Sequence, residues 1–246
     1  MKAYIRTNSA AAVAVLALCL GGFASAALAP GFDAALRSAD RPAEEKERDS
    51  LRKPREVLEF VGIDAGMTVL EAYAGAGWYT EVLSAAVGPE GTVYSQNTAR
   101  FAERFAETAN ARAARLDNVE VWNRELGDLG LDNAVDAAFT ALNLHDAANN
   151  GGDAAGVAWL RGIYGALKPG GVFGFIDHVG VAGQDNTALH RIEKARVRRL
   201  LEQAGFIVEA ESDVLMNPAD DHTLNVRDES LGRSTDRMLI RARKPR

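Results

Sequence analysis

Short apolar runs alternate with longer amphipathic stretches along most of the chain. The apolar and β-branched runs are Thr68–Ala72, Thr92–Ser95, Val119–Trp122, Val135–Leu142 and Val172–Ile176. Between them, apolar side chains recur at helical spacing, as Phe101, Phe105 and Ala109 do. This alternation predicts strand-helix units on a mainly parallel sheet.

The C-terminal part departs from that alternation. A helix is predicted over Ala188–Ala204, and the two β-rich runs after it, Phe206–Ala210 and Met238–Ala242, have no helix between them. They are predicted to form an antiparallel pair at the sheet edge. A loop is predicted at Asn149–Gly152, where Asn and Gly cluster. The expected fold class is α/β, a doubly wound seven-stranded sheet, mostly parallel with an antiparallel edge strand, in one domain over 66–246.

The first 26 residues have the pattern of a signal peptide. Lys2 and Arg6 precede the apolar run Ala10–Leu20, and Ala24-Ser25-Ala26 supplies the small residues that a signal peptidase needs. Cleavage is expected after Ala26, which predicts a periplasmic or secreted protein with no stable membrane anchor. A retained anchor is the alternative, although the run is short for a bilayer span.

Residues 27–65 are predicted to form a helical segment that caps the sheet. Arg41–Phe60 is charged and amphipathic and contains Pro54, which indicates two short helices. Arg52-Lys53-Pro54 is interpreted either as a lid that contacts a ligand carboxylate or as a solvated helix start.

Composition narrows the function classes. The chain has 246 residues, 47% hydrophobic and 25% charged, which is typical of a globular protein. It has 28 Lys and Arg against 34 Asp and Glu, a formal charge of -6 that argues against nucleic acid or an anionic membrane held by bulk charge. A small-molecule partner is expected. The single cysteine, Cys19, lies in the predicted signal peptide, which excludes thiol chemistry and disulfides from the mature chain.

The loop after the first predicted strand has the composition of a ligand site. Ligands of open α/β sheets bind beyond the carboxyl ends of the strands. There, Glu71 supplies a carboxylate, and Gly75 and Gly77 allow a sharp turn and close approach of backbone to a ligand. Thr80 stands where a dinucleotide motif has its third glycine, so a cationic, phosphate-free ligand fits better. Tight strand-helix packing is the alternative explanation of the glycines.

Histidines next to carboxylates suggest acid-base chemistry. His145-Asp146 and Asp177-His178 follow adjacent strands and are expected to converge in one cleft, with Asp220-Asp221-His222 over the same rim. One hypothesis is a proton relay that accepts a substrate proton. Another is a divalent-metal site, because His and Asp are suitable ligands, and a third is a hydrogen-bonded network that fixes loops. His190 is interpreted as a helix-surface or interhelix contact.

Several motifs together carry a family resemblance. Val69-Leu70-Glu71 with Gly75-x-Gly77, the segment Leu-Lys-Pro-Gly-Gly before strand five and the terminal strand pair resemble class I S-adenosylmethionine-dependent methyltransferases, whose sheet is Rossmann-like. The chain is also similar to a family of secreted proteins known as predicted methyltransferases. The shared segments are Arg52-Lys53-Pro54, Gly77-Trp78-Tyr79-Thr80-Glu81, Asn143-Leu144-His145-Asp146, Asp177-His178 and Asn217-Pro218-Ala219-Asp220-Asp221-His222-Thr223.

This resemblance implies S-adenosylmethionine as cofactor and a small-molecule acceptor. It places Glu71 near the methionine part of the cofactor, with Gly75 and Gly77 beneath it. Tyr73 replaces the first glycine of the motif, so its side chain crowds or stacks beside the cofactor. Asn97 replaces the acid that binds the ribose hydroxyls, and Glu125 matches the acid near adenine.

The acceptor side follows from the same resemblance. Asn143 is assigned to the cofactor site, where it also faces the acceptor. The residues His145, Asp146, Asp177 and His178 are assigned to catalysis, and no metal ligand is assigned. Two other functions stay open, a non-catalytic protein that binds a nucleoside-like molecule and a metal-assisted enzyme that uses the His/Asp cluster. The substitutions at Tyr73 and Asn97 favour the binding protein, whereas the His-Asp pairs favour catalysis.

Overall fold

The computed structural model describes residues 27–246, and the predicted signal peptide lies outside them. The strands are β1 Thr68–Ala72, β2 Thr92–Asn97, β3 Val119–Asn123, β4 Val135–Ala141, β5 Leu167–Gly180, β6 Ile192–Glu193, β7 Ile207–Ser212 and β8 Arg237–Arg243. The helices are α1 Phe32–Leu36, α2 Ala43–Lys46, α3 Asp49–Arg52, α4 Pro54–Val61, α5 Trp78–Val87, α6 Ala99–Ala113, α7 Leu144–Ala166 and α8 Lys194–Ala204.

The strands form one sheet in the order β3-β2-β1-β4-β5-β8-β7, and β6 pairs with β5 outside this path. The first five strands are parallel, and β8 runs antiparallel to both of its neighbours, β5 and β7. The predicted α/β class, the mostly parallel sheet and the antiparallel pair are confirmed. The strand number is eight instead of seven because the two-residue β6 was not predicted, and the antiparallel β8 lies one position inside the edge.

Two local predictions were wrong. The helix predicted over Ala188–Ala204 begins only at Lys194, because the residues before it form a turn and then β6. Of the predicted loop Asn149–Gly152, the first three residues are helical and only Gly152 leaves helical geometry, with φ of 75°, at a kink that divides α7 into two helical parts. Tertiary contacts explain the helical turn there. The Asn149 side chain donates to the carbonyl oxygen of Arg191 at 2.9 Å and accepts from Arg196 at 2.7 Å.

The core is divided between the two faces of the sheet. One apolar cluster contains residues of α7 and α8, and the other contains residues of α1, α4 and α5. Val57, Leu58 and Val61 of α4 are fully buried. Burying each such side chain contributes roughly 1.5–3 kcal/mol. Helix α4 is therefore part of the core.

The N-terminal segment forms three short helices where two were predicted between Arg41 and Phe60. Pro54 is the first residue of α4, a position where the missing N–H has no helical partner to lose. Lys53 before it has a left-handed φ of 42° and separates α3 from α4. A capping role for 27–65 stays a prediction for α2 and α3. In the described range 27–246, no helix is long and apolar enough to cross a membrane.

Candidate active site

A cavity of about 200 Å³ lies where β1 and β4 end and α5 begins. Its wall includes most of the residues predicted to hold a cofactor. The lining side chains and backbone belong to Arg48, Arg52, Glu71, Tyr73, Gly75, Gly77, Trp78, Tyr79, Phe101, Phe105, Leu142 and Asn143. The cavity occupies the place where open α/β sheets bind ligands.

Left-handed backbone shapes the loop between β1 and α5. Tyr73, Gly75 and Gly77 have φ angles of 57°, 61° and 83°. A Cβ at Gly77 would lie 2.9 Å from the side chains of Arg112 and Thr80. Gly77 is thus required by both conformation and close packing, so the packing explanation of this glycine holds alongside the ligand hypothesis.

Two amide side chains brace this loop. The Gln96 side chain accepts from the Tyr73 N–H at 2.9 Å, and Asn97 accepts from the Gly75 N–H at 2.8 Å. Asn97 also donates to the Gly75 carbonyl oxygen at 3.2 Å, and only 1% of Asn97 is exposed. Asn97 therefore positions the loop, and its direct contact with a cofactor hydroxyl stays a prediction.

Tyr73 forms one wall of the cavity. Its ring packs edge-on against Phe101 at a centroid distance of 5.1 Å and is tilted against Trp159 at 5.4 Å. Pockets for drug-sized ligands usually measure about 300–1,000 Å³. The cavity is smaller than that range, and crowding of the cofactor by Tyr73 stays a prediction.

Of the remaining predicted cofactor residues, Asn143 lines the cavity and Glu125 is not part of its wall. Asn143 precedes α7 and donates to the carbonyl oxygens of Ala141 at 2.9 Å and Tyr73 at 3.4 Å. Glu125 is exposed and accepts from the Ala99 N–H, at the start of α6, at 3.1 Å. Asn143 therefore holds the loop after β4 against the loop after β1, and Glu125 holds the start of α6. Contact of either residue with a ligand stays a prediction.

Glu71 lies at the end of β1, 4% exposed. Burial raises the pKa of its carboxyl group to about 7, against the opposing influence of the Thr80 hydroxyl and the more distant Arg112 and Arg52. Thr80 donates to Glu71, and its hydroxyl lies 3.0 Å from that of Ser95. A carboxyl group in this state gains or loses a proton near neutral pH.

Arg112 of α6 connects three segments around the loop. Its guanidinium pairs with Glu45 of α2 and Glu81 of α5, and it donates to the Ala76 carbonyl oxygen at 3.2 Å. Glu81 also binds Arg115 at 2.7 Å. Helix α2 is thereby held against the loop by ion pairs that are largely buried.

His145 and Asp177 form a buried pair on the other side of β4. The Nδ1 atom of His145 lies 2.7 Å from Oδ1 of Asp177, which also accepts from the His178 N–H at 2.8 Å. The backbone N–H of His145 donates to the other carboxylate oxygen of Asp177, Oδ2, at 3.0 Å. Burial lowers the pKa of His145, but the charge and hydrogen bond of Asp177 more than compensate and leave it raised.

The structure pairs the predicted catalytic residues differently from their order in sequence. Asp146 accepts from Nδ1 of His190 at 2.9 Å, and it lies 3.4 Å from Nε2 of His145. His178 instead contacts the Thr235 hydroxyl at 2.8 Å. Burial, then Arg237 and other cations, lower its pKa well below the usual value, so its imidazole is neutral at pH 7.

The helix-surface interpretation of His190 was wrong. His190 precedes β6 in a turn, and its ring centroid lies 5.7 Å from that of His145. The sequence signal was weak because the residue seemed to lie in a regular helix. In the structure α8 starts only at Lys194, and the turn before it brings His190 next to His145 and Asp146.

The segment Asp220-Asp221-His222 is mainly structural. Both carboxylate oxygens of Asp220 accept from Arg191 at 2.9 Å, and both side chains are fully buried. Burial raises the pKa of Asp220, but Arg191 and two backbone N–H groups outweigh it and lower the pKa. His222 pairs separately with Asp236 at 2.9 Å. Sequence reasoning did not identify Arg191 as the partner because the two residues are distant in the chain.

A larger hollow of about 960 Å³ lies beside the C-terminal half of α7. Its wall contains Leu126–Asp132 and residues of α7, and none of the predicted site residues. It has charged side chains at its rim but no histidine. The smaller cavity beside Glu71 is thus the better candidate for the active site, because it combines polar backbone, titratable groups and the strand ends.

No protein-family model matches the sequence, and no curated protein matches it. Solved structures do match. An S-adenosylmethionine-dependent methyltransferase from Aquifex aeolicus is 25% identical, with a TM-score of 0.60 over 82% of this chain and 98% of that one. The [4+2]-cyclase SpnF is 20% identical, with a TM-score of 0.60 over 85% of each chain.

A third similar structure is described as a possible exported protein from Bordetella parapertussis. It is 17% identical, with a TM-score of 0.56 over 81% of this chain and 68% of that one. At this identity the likeness concerns the fold only. The strand order, the glycine loop after β1 and these structural matches agree, and the chain has the fold of class I S-adenosylmethionine-dependent methyltransferases.

Proposed function

We propose that the protein is an S-adenosylmethionine-dependent methyltransferase that acts on a small molecule. The observation that carries this proposal is the juxtaposition of two features at one sheet edge. The glycine loop and Glu71 line a cavity at the carboxyl end of β1. The buried His145–Asp177 pair lies near the carboxyl ends of the neighbouring strands β4 and β5. The similar Aquifex aeolicus structure, which is named as a methyltransferase of this type, supports it.

The residues around the cavity suit this cofactor. Gly75 and Gly77 expose backbone to a ligand, and Glu71 supplies a carboxyl group for its cationic methionine end. Tyr73, Phe101 and Phe105 offer aromatic surface for a purine. When bound, S-adenosylmethionine supplies an activated methyl group on its sulfonium.

His145 would accept the acceptor proton. Asp177 fixes Nδ1 of His145 as the protonated ring nitrogen, so Nε2 is the basic atom. When the acceptor is methylated, Nε2 of His145 would take up the proton that the acceptor atom loses. Such general-base assistance typically contributes 10²–10⁴-fold in rate. His178 is neutral and packs beside His145 with ring centroids 5.8 Å apart.

Calorimetry on the chain from residue 27 tests the proposal. We expect S-adenosylmethionine and its demethylated product each to bind with one-to-one stoichiometry. Asp177→Asn should keep cofactor binding but lose methyl transfer from radiolabelled cofactor to a small-molecule extract. If neither cofactor nor product produces heat, the transferase proposal is wrong. Binding of a nucleoside without the methionine part, and no transfer, would favour the non-catalytic binding protein.

One observation favours a metal-assisted enzyme as the second candidate. Ligand atoms of His145, Asp146 and His190 lie within 4.8 Å of one another. Asp177 holds His145 from behind, which is how many metal-binding histidines are oriented. Elemental analysis of purified protein and assay after chelation decide between the two. Full activity of a metal-free sample would contradict metal assistance.

We propose further that the protein acts outside the cytosol as a member of the secreted predicted methyltransferase family. The motifs quoted from the sequence and the charge and hydropathy pattern of residues 1–26 support this. The similar structure from Bordetella parapertussis, described as a possible exported protein, is consistent with it. Cell fractionation with N-terminal sequencing should find a periplasmic or secreted chain that begins at Ala27. A cytosolic chain that retains residues 1–26 would contradict the proposal.

A further inference from the structure

Three arginines lie at or beside the candidate active site. Arg48 and Arg52 line the cavity from the N-terminal segment. Arg237, the first residue of β8, lines a small neighbouring hollow together with Ser50, Leu51 and Lys53, so it lies beside the segment that carries the other two. We call these residues the arginine cluster.

The arginine cluster differs in its partners from Arg41 and Arg191, two arginines that are almost completely buried. Arg41 binds both oxygens of Asp49, and Arg191 binds both oxygens of Asp220. Within residues 27–246, in contrast, neither Arg48 nor Arg52 makes a hydrogen bond or ion pair with a carboxylate. Arg52 lies 4.4 Å above the ring of Trp78.

The same contrast holds for Arg237. It is 8% exposed and donates to the Thr235 hydroxyl at 3.1 Å and to the carbonyl oxygen of Arg233. Its bonds are to neutral oxygens only, so its charge is not balanced by these contacts. The Glu45 carboxylate near Arg48 is already bound by Arg112.

The pKa values of Arg52 and Arg237 are lowered from the usual arginine value. Burial lowers the pKa of Arg52 to about 10, with Tyr79 opposing and the neighbouring arginines adding to it. Burial likewise lowers the pKa of Arg237, and Arg48 adds to the shift. Removing cations from water without a counter-charge is unfavourable. An oxyanion between these guanidinium groups would supply the missing counter-charge through charge-assisted hydrogen bonds.

The location of the arginine cluster indicates which ligand carries that oxyanion. Arg52 packs on Trp78 and Tyr79 of α5, near the cofactor loop, whereas Arg237 pairs with His178 in the β5–β8 register. The cluster thus spans from the cofactor side to the histidines. S-adenosylmethionine itself has a sulfonium, an ammonium and one carboxylate, so it is a net cation and does not balance the three guanidinium groups.

We propose that the methyl acceptor carries an oxyanion group, a carboxylate or a phosphate, that binds to the arginine cluster. This inference rests on the proposed function and narrows its substrate class. The acceptor anion would bring the reacting group to His145 and offset the positive charge that opposes a cationic cofactor. Binding of acceptor and cofactor should therefore be mutually favourable, because such coupling is reciprocal.

Inorganic phosphate serves as the probe, in calorimetry at fixed ionic strength without cofactor. We expect the dissociation constant for phosphate to rise about tenfold in Arg52→Gln and in Arg48→Gln. Arg199→Gln is the matched control, because Arg199 is exposed on α8, away from the cluster. Thermal unfolding and the conservative Arg52→Lys show whether the variants are folded. Equal phosphate binding by all of these proteins, or none by the wild type, would overturn the inference.

A second arm separates the acceptor from the cofactor as the source of the anion. Phosphate binding is repeated with saturating S-adenosylhomocysteine, which carries the cofactor carboxylate. If the site belongs to the acceptor, phosphate binds alongside it, and Arg237→Gln, which lies outside the cofactor cavity, weakens phosphate but leaves S-adenosylhomocysteine within about twofold. Competition between the two, with equal weakening of both, assigns the arginines to the cofactor and overturns the inference. Phosphate binding without any cofactor binding would instead refute the proposed function alone.

Discussion

Glu71 and Asp220 are equally buried carboxyl groups at the same edge of the sheet, yet their surroundings shift their pKa values in opposite directions. Glu71 is 4% exposed and bonds to the Thr80 hydroxyl, and burial raises its pKa to about 7. Asp220 is 3% exposed, and its two bonds to Arg191 lower its pKa. Burial alone does not fix the charge of a carboxyl group. The partner decides whether that group can titrate near neutral pH or stays a permanent anion.

The largest effect is expected where the permanent ion pair is broken. Asp220→Ala leaves Arg191 buried without its counter-charge, which should lower the free energy of unfolding by about 3–5 kcal/mol. Asp33→Ala is the control, because the pair of Asp33 with Arg55 is exposed and should contribute about 0–1 kcal/mol. Denaturant unfolding of both variants measures the difference. Similar losses for the two would show that Asp220 does not depend on its buried pair.

The second prediction concerns the titratable carboxyl group. The pKa of Glu71 is raised from 4.5 to about 7 in the folded chain, so between these pH values the folded state holds a proton that the unfolded state has lost. Stability from this group must then fall as pH rises through that window, by about 3 kcal/mol in total. Glu71→Gln should match the wild type near pH 4 and exceed its stability at pH 8. Parallel pH profiles from denaturant unfolding would contradict a raised pKa.

A smaller effect should follow when the partner of Glu71 is displaced. In Gly77→Ala the new methyl group meets Thr80 and Arg112 at 2.9 Å in a left-handed backbone conformation. We expect a loss of about 2 kcal/mol, against about 1 kcal/mol for Gly66→Ala. Gly66 is the matched control, since its φ is 81° and a Cβ there would meet no atom within 4 Å. Thermal unfolding compares the two, and equal losses would mean that backbone strain alone makes Gly77 necessary.

Much of the fold could be predicted from the sequence, because it follows from local patterns. The β1 and β4 runs are short, apolar and bounded by turn residues, so their periodicity identifies them directly. The two-residue β6 could not be found in this way. It exists only because the end of β5 offers a neighbour for Ile192, and no local pattern records that tertiary pairing.

The site was predictable in its location more than in its contacts. Topology alone places His145 and Asp177 at neighbouring strand ends, and the structure brings them within hydrogen-bond distance. Adjacency in sequence grouped His145 with Asp146 and His178 with Asp177. Asp146 does lie 3.4 Å from Nε2 of His145, but the closer contacts, at 2.7 and 2.9 Å, join His145 to Asp177 and His190 to Asp146 across separate elements. The contact between Arg52 and Trp78 was equally hidden, because it joins α3 to α5.

Arg112 links the position of the N-terminal segment to the shape of the glycine loop. The same guanidinium holds Glu45 in α2, Glu81 in α5 and the carbonyl oxygen of Ala76. Lifting α2 to admit a ligand therefore withdraws one of the anions that anchor this cation against the loop. Ligand entry past α2 and a change in the conformation of the glycine loop are therefore coupled through one guanidinium group. A molecule that binds Glu45 would weaken the hold of Arg112 on both α2 and the loop.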